Sequence, residues 1–279
     1  MNWASGEMVT PVELAGEPIV PERIIPGRTP AYLFQKHTSR YRFIREAVKG
    51  KQALDVGCGD GYGAYYLAKY ASRVVGVDVA PEVVAKAQHH YVRQNLSFRV
   101  MDGAHLSFAT ASFDVLCAFE VFEHIAEVDQ LIEESHRVLG PPGVFFVSTP
   151  NVESYVAAGR NPWHVKEYTD QEFYERLSRH FPRVKIYGQF CRRPLRQFLY
   201  QLSSRLYFDS RIYRLVVSAL GAFYIRHIGE KINRHKTDWI ESSPPGLFRF
   251  SMDNVGQADS FMAVCQKAEA PSFEFEGTP

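Results

Sequence analysis

The chain has 279 residues, 46% of them hydrophobic, enough to bury one substantial core with room for an appended element. Its formal net charge of +1 supplies no overall field to draw in nucleic acid or an anionic membrane, which weighs against a general nucleic-acid binder. Cys58, Cys117, Cys191 and Cys265 show neither CxxC pairs nor zinc spacing, and three of them lie in apolar runs, as small buried hydrophobes do in a reducing compartment.

Residues 1–30 carry five prolines and no basic, apolar leader pattern, so an extended lead-in is expected, with no secretory signal. The uncharged run Leu215–Ile225 is 11 residues long, too short to span a bilayer, and a soluble cytoplasmic protein is the expectation. Over 32–50, Leu33, Phe34, Tyr41, Ile44 and Val48 fall at helical spacing and Gly50 supplies a stop. From there strands and helices alternate. Strands are expected at 53–57, 73–79, 96–102, 113–119, 143–149, 183–190 and 259–268. Helices are expected at 62–70, at 81–94 behind Pro81, at 128–140, and at 169–180, where Thr169 and Glu172 have capping-box spacing. Apolar strands without clean alternation, separated by helices, indicate a largely parallel sheet covered on both faces.

The stretch "LDVGCGDGYG" places Gly57, Gly59, Gly61 and Gly63 directly after the first strand of that sheet. Ligands of open parallel sheets bind at the carboxyl ends of strands, and glycine there lets the main chain approach them closely. The spacing G-x-G-x-G-x-G differs from the dinucleotide fingerprint G-x-G-x-x-G, and no Walker lysine follows. Asp55, read as a carboxylate at the crevice mouth, would repel a diphosphate and attract a cationic ligand.

These residues resemble motif I of the class I S-adenosylmethionine-dependent methyltransferases, whose cofactor carries an ammonium and a sulfonium and no phosphate. "VVGVDVA" resembles motif II, "VMDGAHLSF" the third motif, "SFDVLCAFEVFEH" the fourth and "RVLGPPGVFFVSTPN" the fifth-strand segment, in register over residues 31–190. The resemblance implies that Gly57, Cys58, Gly59 and Gly61 approach the cofactor and that Asp78 takes both ribose hydroxyls beside Val79. It implies adenine contacts from Asp102, Gly103 and Ala104, and further cofactor contacts from Glu120 and Val121. "QKHTSRYRF" resembles the helix before motif I in bacterial members, so Arg40 would pair with the cofactor carboxylate, with His37 or Tyr41 closing the pocket and Tyr62 covering the methionine moiety.

For the chemistry, "EVFEH" sets Glu120, Glu123 and His124 at i, i+3 and i+4, one face if that segment is a helical turn. Two carboxylates and an imidazole suit Mg²⁺ or Mn²⁺, or a base with its orienting partner, and the pattern resembles the ExxEH of ubiquinone-pathway and sugar-tailoring O-methyltransferases. "NPWHVKEY" resembles stretches of bacterial sugar and glycolipid methyltransferases; Trp163 would form a wall and His164 is the leading candidate base, with His124 and Glu123 as further catalytic candidates.

Between 191 and 237 ten Arg or Lys face only Asp209 and Glu230, a balance of +8, with aromatics interleaved. A basic helical insert there would serve as a substrate lid, an oligomer contact or a peripheral membrane contact. The expected organisation is a lead-in at 1–30, a cofactor-binding core at 31–190, an insert at 191–258, a final core strand at 259–270 and a loose tail at 271–279. The expected fold is α/β, a Rossmann-like seven-stranded mixed sheet with its last strand antiparallel and the insert between strands six and seven. The expected function is O-methylation of a saccharide, glycolipid or similar small molecule. N- or C-methylation and a non-catalytic cofactor-binding module are the alternatives, and no nucleic-acid partner is expected.

Overall fold

The computed structural model describes residues 13–14, 17–18, 24–26, 29, 31–153, 163–193, 239–242 and 246–268. A two-stranded ribbon, β1 (Glu13–Leu14) with β2 (Glu17–Pro18), precedes α1 (Ala31–Phe43). The helical pattern continues past Phe43 only as tight turns, with Ala47 N bonded to Ile44 O at 3.0 Å. Alternating elements follow: β3 (Gln52–Val56), α2 (Tyr62–Leu67), β4 (Arg73–Asp78), α3 (Pro81–His90), β5 (Leu96–Val100) and β6 (Phe113–Phe119). The second half holds α4 (Val128–Val138), β7 (Leu139–Pro150), α5 (Asp170–Ser178), β8 (Arg183–Cys191), α6 (Trp239–Ser242), β9 (Phe248–Ser251) and β10 (Ser260–Gln266).

The main sheet has eight strands in the order β5-β4-β3-β6-β7-β10-β8-β9. The parallel ladders run from β5 to β7, and β10 enters antiparallel between β7 and β8. Seven strands were expected. The eighth, β9, lies in the stretch read as insert and pairs antiparallel with β8 from Gly188↔Ser251 to Cys191↔Phe248. Its short "FRFS" run reads weakly as a strand because it is an edge with one neighbour.

Alternate residues of the central strands feed two cores. Ala53, Val74, Val115, Phe146 and Val264 pack with α1, α2 and α3, whereas Leu54, Val75, Leu116, Phe145 and Ala263 pack with α4 and α5. Both strand faces are dry, which explains the continuous apolar runs. Helix α1 differs from the other covering helices in burying charged side chains: with Phe34 and Tyr41 it buries Lys36, Thr38 and Arg40. Lys36 and Arg40 face Glu120 just past β6, whose carboxylate also accepts from Ser148 of β7, while Thr38 bonds back to Gln35 O within the helix. Among the described residues no helix is long and apolar enough to cross a membrane. Of the expected basic insert, residues 194–238 lie outside the described residues, as do the expected tail and most of the lead-in.

Candidate active site

The glycine run bends the chain from β3 into α2. Gly57, Gly59 and Gly61 have φ of 69°, 50° and 88°, the left-handed region that glycine enters without strain. A side chain at Gly57 would collide with Val121, so the β3 and β6 connections touch through a bare backbone. At Gly59 there is open space within 4 Å of where a Cβ would stand, so that backbone is available to a ligand. Gly59 N donates to Asp78 Oδ2 at 3.0 Å and Ala80 N to Asp78 Oδ1 at 3.0 Å, fixing the carboxylate at the end of β4. Val79 beside it is 71% exposed, a bare apolar surface next to a polar anchor. At the end of β5, Asp102 Oδ1 accepts from Ala104 N at 2.9 Å, with Gly103 and Ala104 buried behind it. Cys58 is buried.

Asp55 is not at the mouth of the crevice. It is fully buried, accepting from the Tyr41 hydroxyl at 3.3 Å and the Cys117 thiol at 3.2 Å. Burial raises its pKa to about 7, with the Cys117 and Tyr41 bonds pulling the other way. Position two before the glycines lies inside the sheet, so this carboxylate shapes the turn from below. Tyr41 and Tyr62 are likewise core residues, their rings 5.8 Å apart edge-to-face.

Arg40 is 0% exposed, with Nη2 3.0 Å from Glu120 Oε1, and none of its guanidinium nitrogens makes a directed hydrogen bond among the described residues. A dry guanidinium with spare donors is a receptor for an anion. Its observed ion-pair partner is Glu120, where the cofactor carboxylate was expected. Glu120 is a non-glycine residue at φ 55°, a backbone state held only where surroundings enforce it. Burial pushes the Glu120 pKa up, but Arg40, Lys36 and His37 outweigh that and hold it below the usual carboxylate range. The His37 pKa is lowered as well, to about 3, by burial and then by Arg40, which leaves that ring neutral.

The expected single face of Glu120, Glu123 and His124 does not form. Glu120 directly follows β6, and only Phe122–His124 form a 3₁₀ turn. Glu120 is committed to Arg40 and to Ser148 Oγ at 3.1 Å. The donor atoms that converge are those of Glu123, His124 and His164, all within 4.8 Å of one another. Glu123 is buried, accepts from Thr149 Oγ1 at 3.2 Å, and has its pKa raised by burial and then by Glu120. His124 Nε2 lies 4.0 Å from Glu123 Oε1, and the His124 and His164 rings are 5.1 Å apart. The loop 163–168 is tied to the turn by Val165 N donating to Glu123 O at 2.8 Å. Trp163 is half-exposed beside the histidines; Asn161 and Pro162 lie outside the described residues. Lys36, Ser148, Thr149 and Glu167 were missed by sequence reasoning, because nothing local marks a strand residue or a helix lysine as facing a site formed by distant elements.

Residues 54–147, which contain the glycine turn, the Asp78 and Asp102 anchors and Glu120–His124, match the model of the methyltransferase domain family. Over that third of the chain the residues are similar to a methyltransferase domain. A relative described as a probable S-adenosylmethionine-dependent methyltransferase, from Mycolicibacterium smegmatis, is 38% identical over 165 residues, covering 57% of this chain and 63% of that protein. A ubiquinone biosynthesis O-methyltransferase from Coxiella burnetii is 32% identical over 116 residues, 40% of this chain and 50% of that protein. The chain thus spans between half and two thirds of the length of these curated relatives. Among solved structures, an S-adenosylmethionine-dependent methyltransferase from Mesorhizobium loti aligns at TM-score 0.52 and 16% identity, over 85% of this chain and all of that one. The [4+2]-cyclase SpnF aligns at TM-score 0.54 and 18% identity, over 88% and 87%. Likeness at that level speaks for the fold alone: the methyltransferase domain scaffold here is shared with a protein described by another reaction.

Proposed function

We propose that this protein uses S-adenosylmethionine to methylate a hydroxyl of a small molecule, a saccharide, glycolipid or similar acceptor. The observation that carries the donor half is the strand-end crevice: positive-φ glycines, Asp78 anchored for a diol, Asp102 for an amine, and a buried Arg40 short of acceptors for the methionine carboxylate. No cationic side chain stands in the glycine turn to hold a phosphate. Transfer breaks the donor's C–S bond and forms C–O, while the hydroxyl proton passes to His164 or His124. Glu123, His124 and His164 also fit a divalent cation, two imidazoles and a carboxylate within reach of one centre. Such a cation would be held by those three residues and would lower the acceptor's pKa.

The Coxiella relative's name favours a second reading, an acceptor from ubiquinone biosynthesis. N- or C-methylation needs no hydroxyl activation and would survive a chelator. A cytoplasmic location, a homodimer and membrane contact through 191–237 belong to the same proposal. Calorimetry with S-adenosylhomocysteine tests the donor site: micromolar binding is expected, and Asp78→Ala should weaken it roughly 10- to 100-fold, the worth of hydrogen bonds to a charged group. Absence of heat together with tight dinucleotide binding would overturn the reading. A labelled-methyl screen of sugars, quinols, amines and glycolipids, with and without chelator, then separates the acceptors.

A further inference from the structure

The proposed function uses the histidine of the 164–167 segment and leaves its glutamate without a task. We infer that Glu167 is a positioning residue: its carboxylate holds His164 with the proton on Nδ1, so that Nε2 is the basic nitrogen offered to the cluster with His124 and Glu123. This rests on the reading of that cluster as the proton-accepting or cation-holding part of the site.

His164 Nδ1 and Glu167 Oε1 are 2.9 Å apart, with side chains only 5% and 11% exposed. A charge-assisted bond withdrawn from water is strong enough to fix both ring plane and tautomer. The neighbouring cation does not compete, since Lys166 Nζ lies 2.8 Å from Glu172 and over the Tyr168 ring. His124 is anchored by the same logic. Its Nδ1 is 3.1 Å from Trp163 O, and a carbonyl oxygen only accepts, so that nitrogen carries the hydrogen. One five-residue stretch, 163–167, therefore grips both imidazoles through Nδ1, and Val165 N and Lys166 N, both donating to Glu123 O, pin the stretch to the third member of the cluster. Outer partners of this kind set ligand or base orientation in histidine sites.

The test uses the full chain with ¹⁵N-labelled histidine and a long-range ¹H–¹⁵N correlation above the histidine pKa. Assignment of each ring comes from His164→Gln and His124→Gln. In the wild type His164 is expected to show a protonated Nδ1 and a bare Nε2. Glu167→Ala should shift it toward the Nε2–H form that free histidine prefers in water, and Glu167→Gln, which keeps an acceptor oxygen, should restore Nδ1–H. His124 should keep its Nδ1–H form in all three chains. A wild-type His164 protonated on Nε2, or a tautomer unmoved in a folded Glu167→Ala chain, would overturn the inference. Should the alanine variant not fold, the wild-type tautomer decides alone. S-adenosylhomocysteine binding is read separately, so failure of the donor reading leaves its own mark.

Discussion

At Asp55 a carboxyl group sits in the core with a tyrosine and a thiol as its partners. Its folded pKa of about 7 exceeds the ordinary 3.8, so the folded chain binds an extra proton between those values. That contribution to stability is full below the unfolded pKa, falls as pH rises toward 7 and is gone above it. Asp55→Asn, which resembles the neutral form, should flatten this decline. Denaturant unfolding at pH 5 and pH 8 is expected to show the wild type losing about 3 kcal/mol more than the variant, at about 1.4 kcal/mol per pH unit. The glycines offer a second residue-scale contrast. A Cβ at Gly63 would fall on the Tyr41 ring, while at Gly59 it meets open space at φ 50°. Gly63→Ala should cost about 1–3 kcal/mol by overpacking and disturb the Tyr41–Asp55 contact. Gly59→Ala should cost only the left-handed backbone, roughly 1–2 kcal/mol. Thermal unfolding of the two variants measures the difference.

At the scale of elements, α5 starts where Thr169 Oγ1 accepts from Glu172 N at 3.2 Å and Glu172 Oε2 accepts from Thr169 N at 3.1 Å. This capping box was legible as T-x-x-E because both partners are local in sequence. Thr169→Ala should lower stability by about 1 kcal/mol in urea unfolding, and its effect should reach the loop carrying His164 and Glu167. The strands of the parallel half were legible for a related reason: residues buried on both faces leave unbroken apolar runs. The turn after β6 was not. A spacing of i, i+3 and i+4 suggests one helical face, yet Glu120, the first residue past β6, takes φ 55°, and its carboxylate pairs with Arg40. Periodicity carries no information about where a helix begins when a buried ion pair sets the backbone.

For the whole molecule, the antiparallel pair β8 and β9 brings Cys191 and Phe248 opposite each other, so the chain leaves and re-enters the sheet at one edge. Residues 239–242 pack back on the core: Ile240 is 2% exposed, Lys69 Nζ lies 2.6 Å from Glu241, and Arg42 donates to Ile240 O. Replacing 194–238 with a Gly/Ser linker while keeping 239–242 should therefore leave the sheet and S-adenosylhomocysteine binding within a few-fold of wild type. If the basic segment covers the acceptor, turnover should be lost in the same chain. Calorimetry and the labelled-methyl assay, run side by side, read both outcomes.

The sequence by itself determined the alternation of strands and helices, the glycine turn after β3 and the carboxylates ending β4 and β5, because each is a short-range pattern of burial or backbone freedom. Tertiary structure alone decided which charges meet. It placed Asp55 in the dry interior, turned Glu120 toward Arg40, and brought His164, forty residues on, beside Glu123 and His124. Ion pairs and converging donors depend on distances across the sheet, and those distances are fixed only once every strand has found its neighbours.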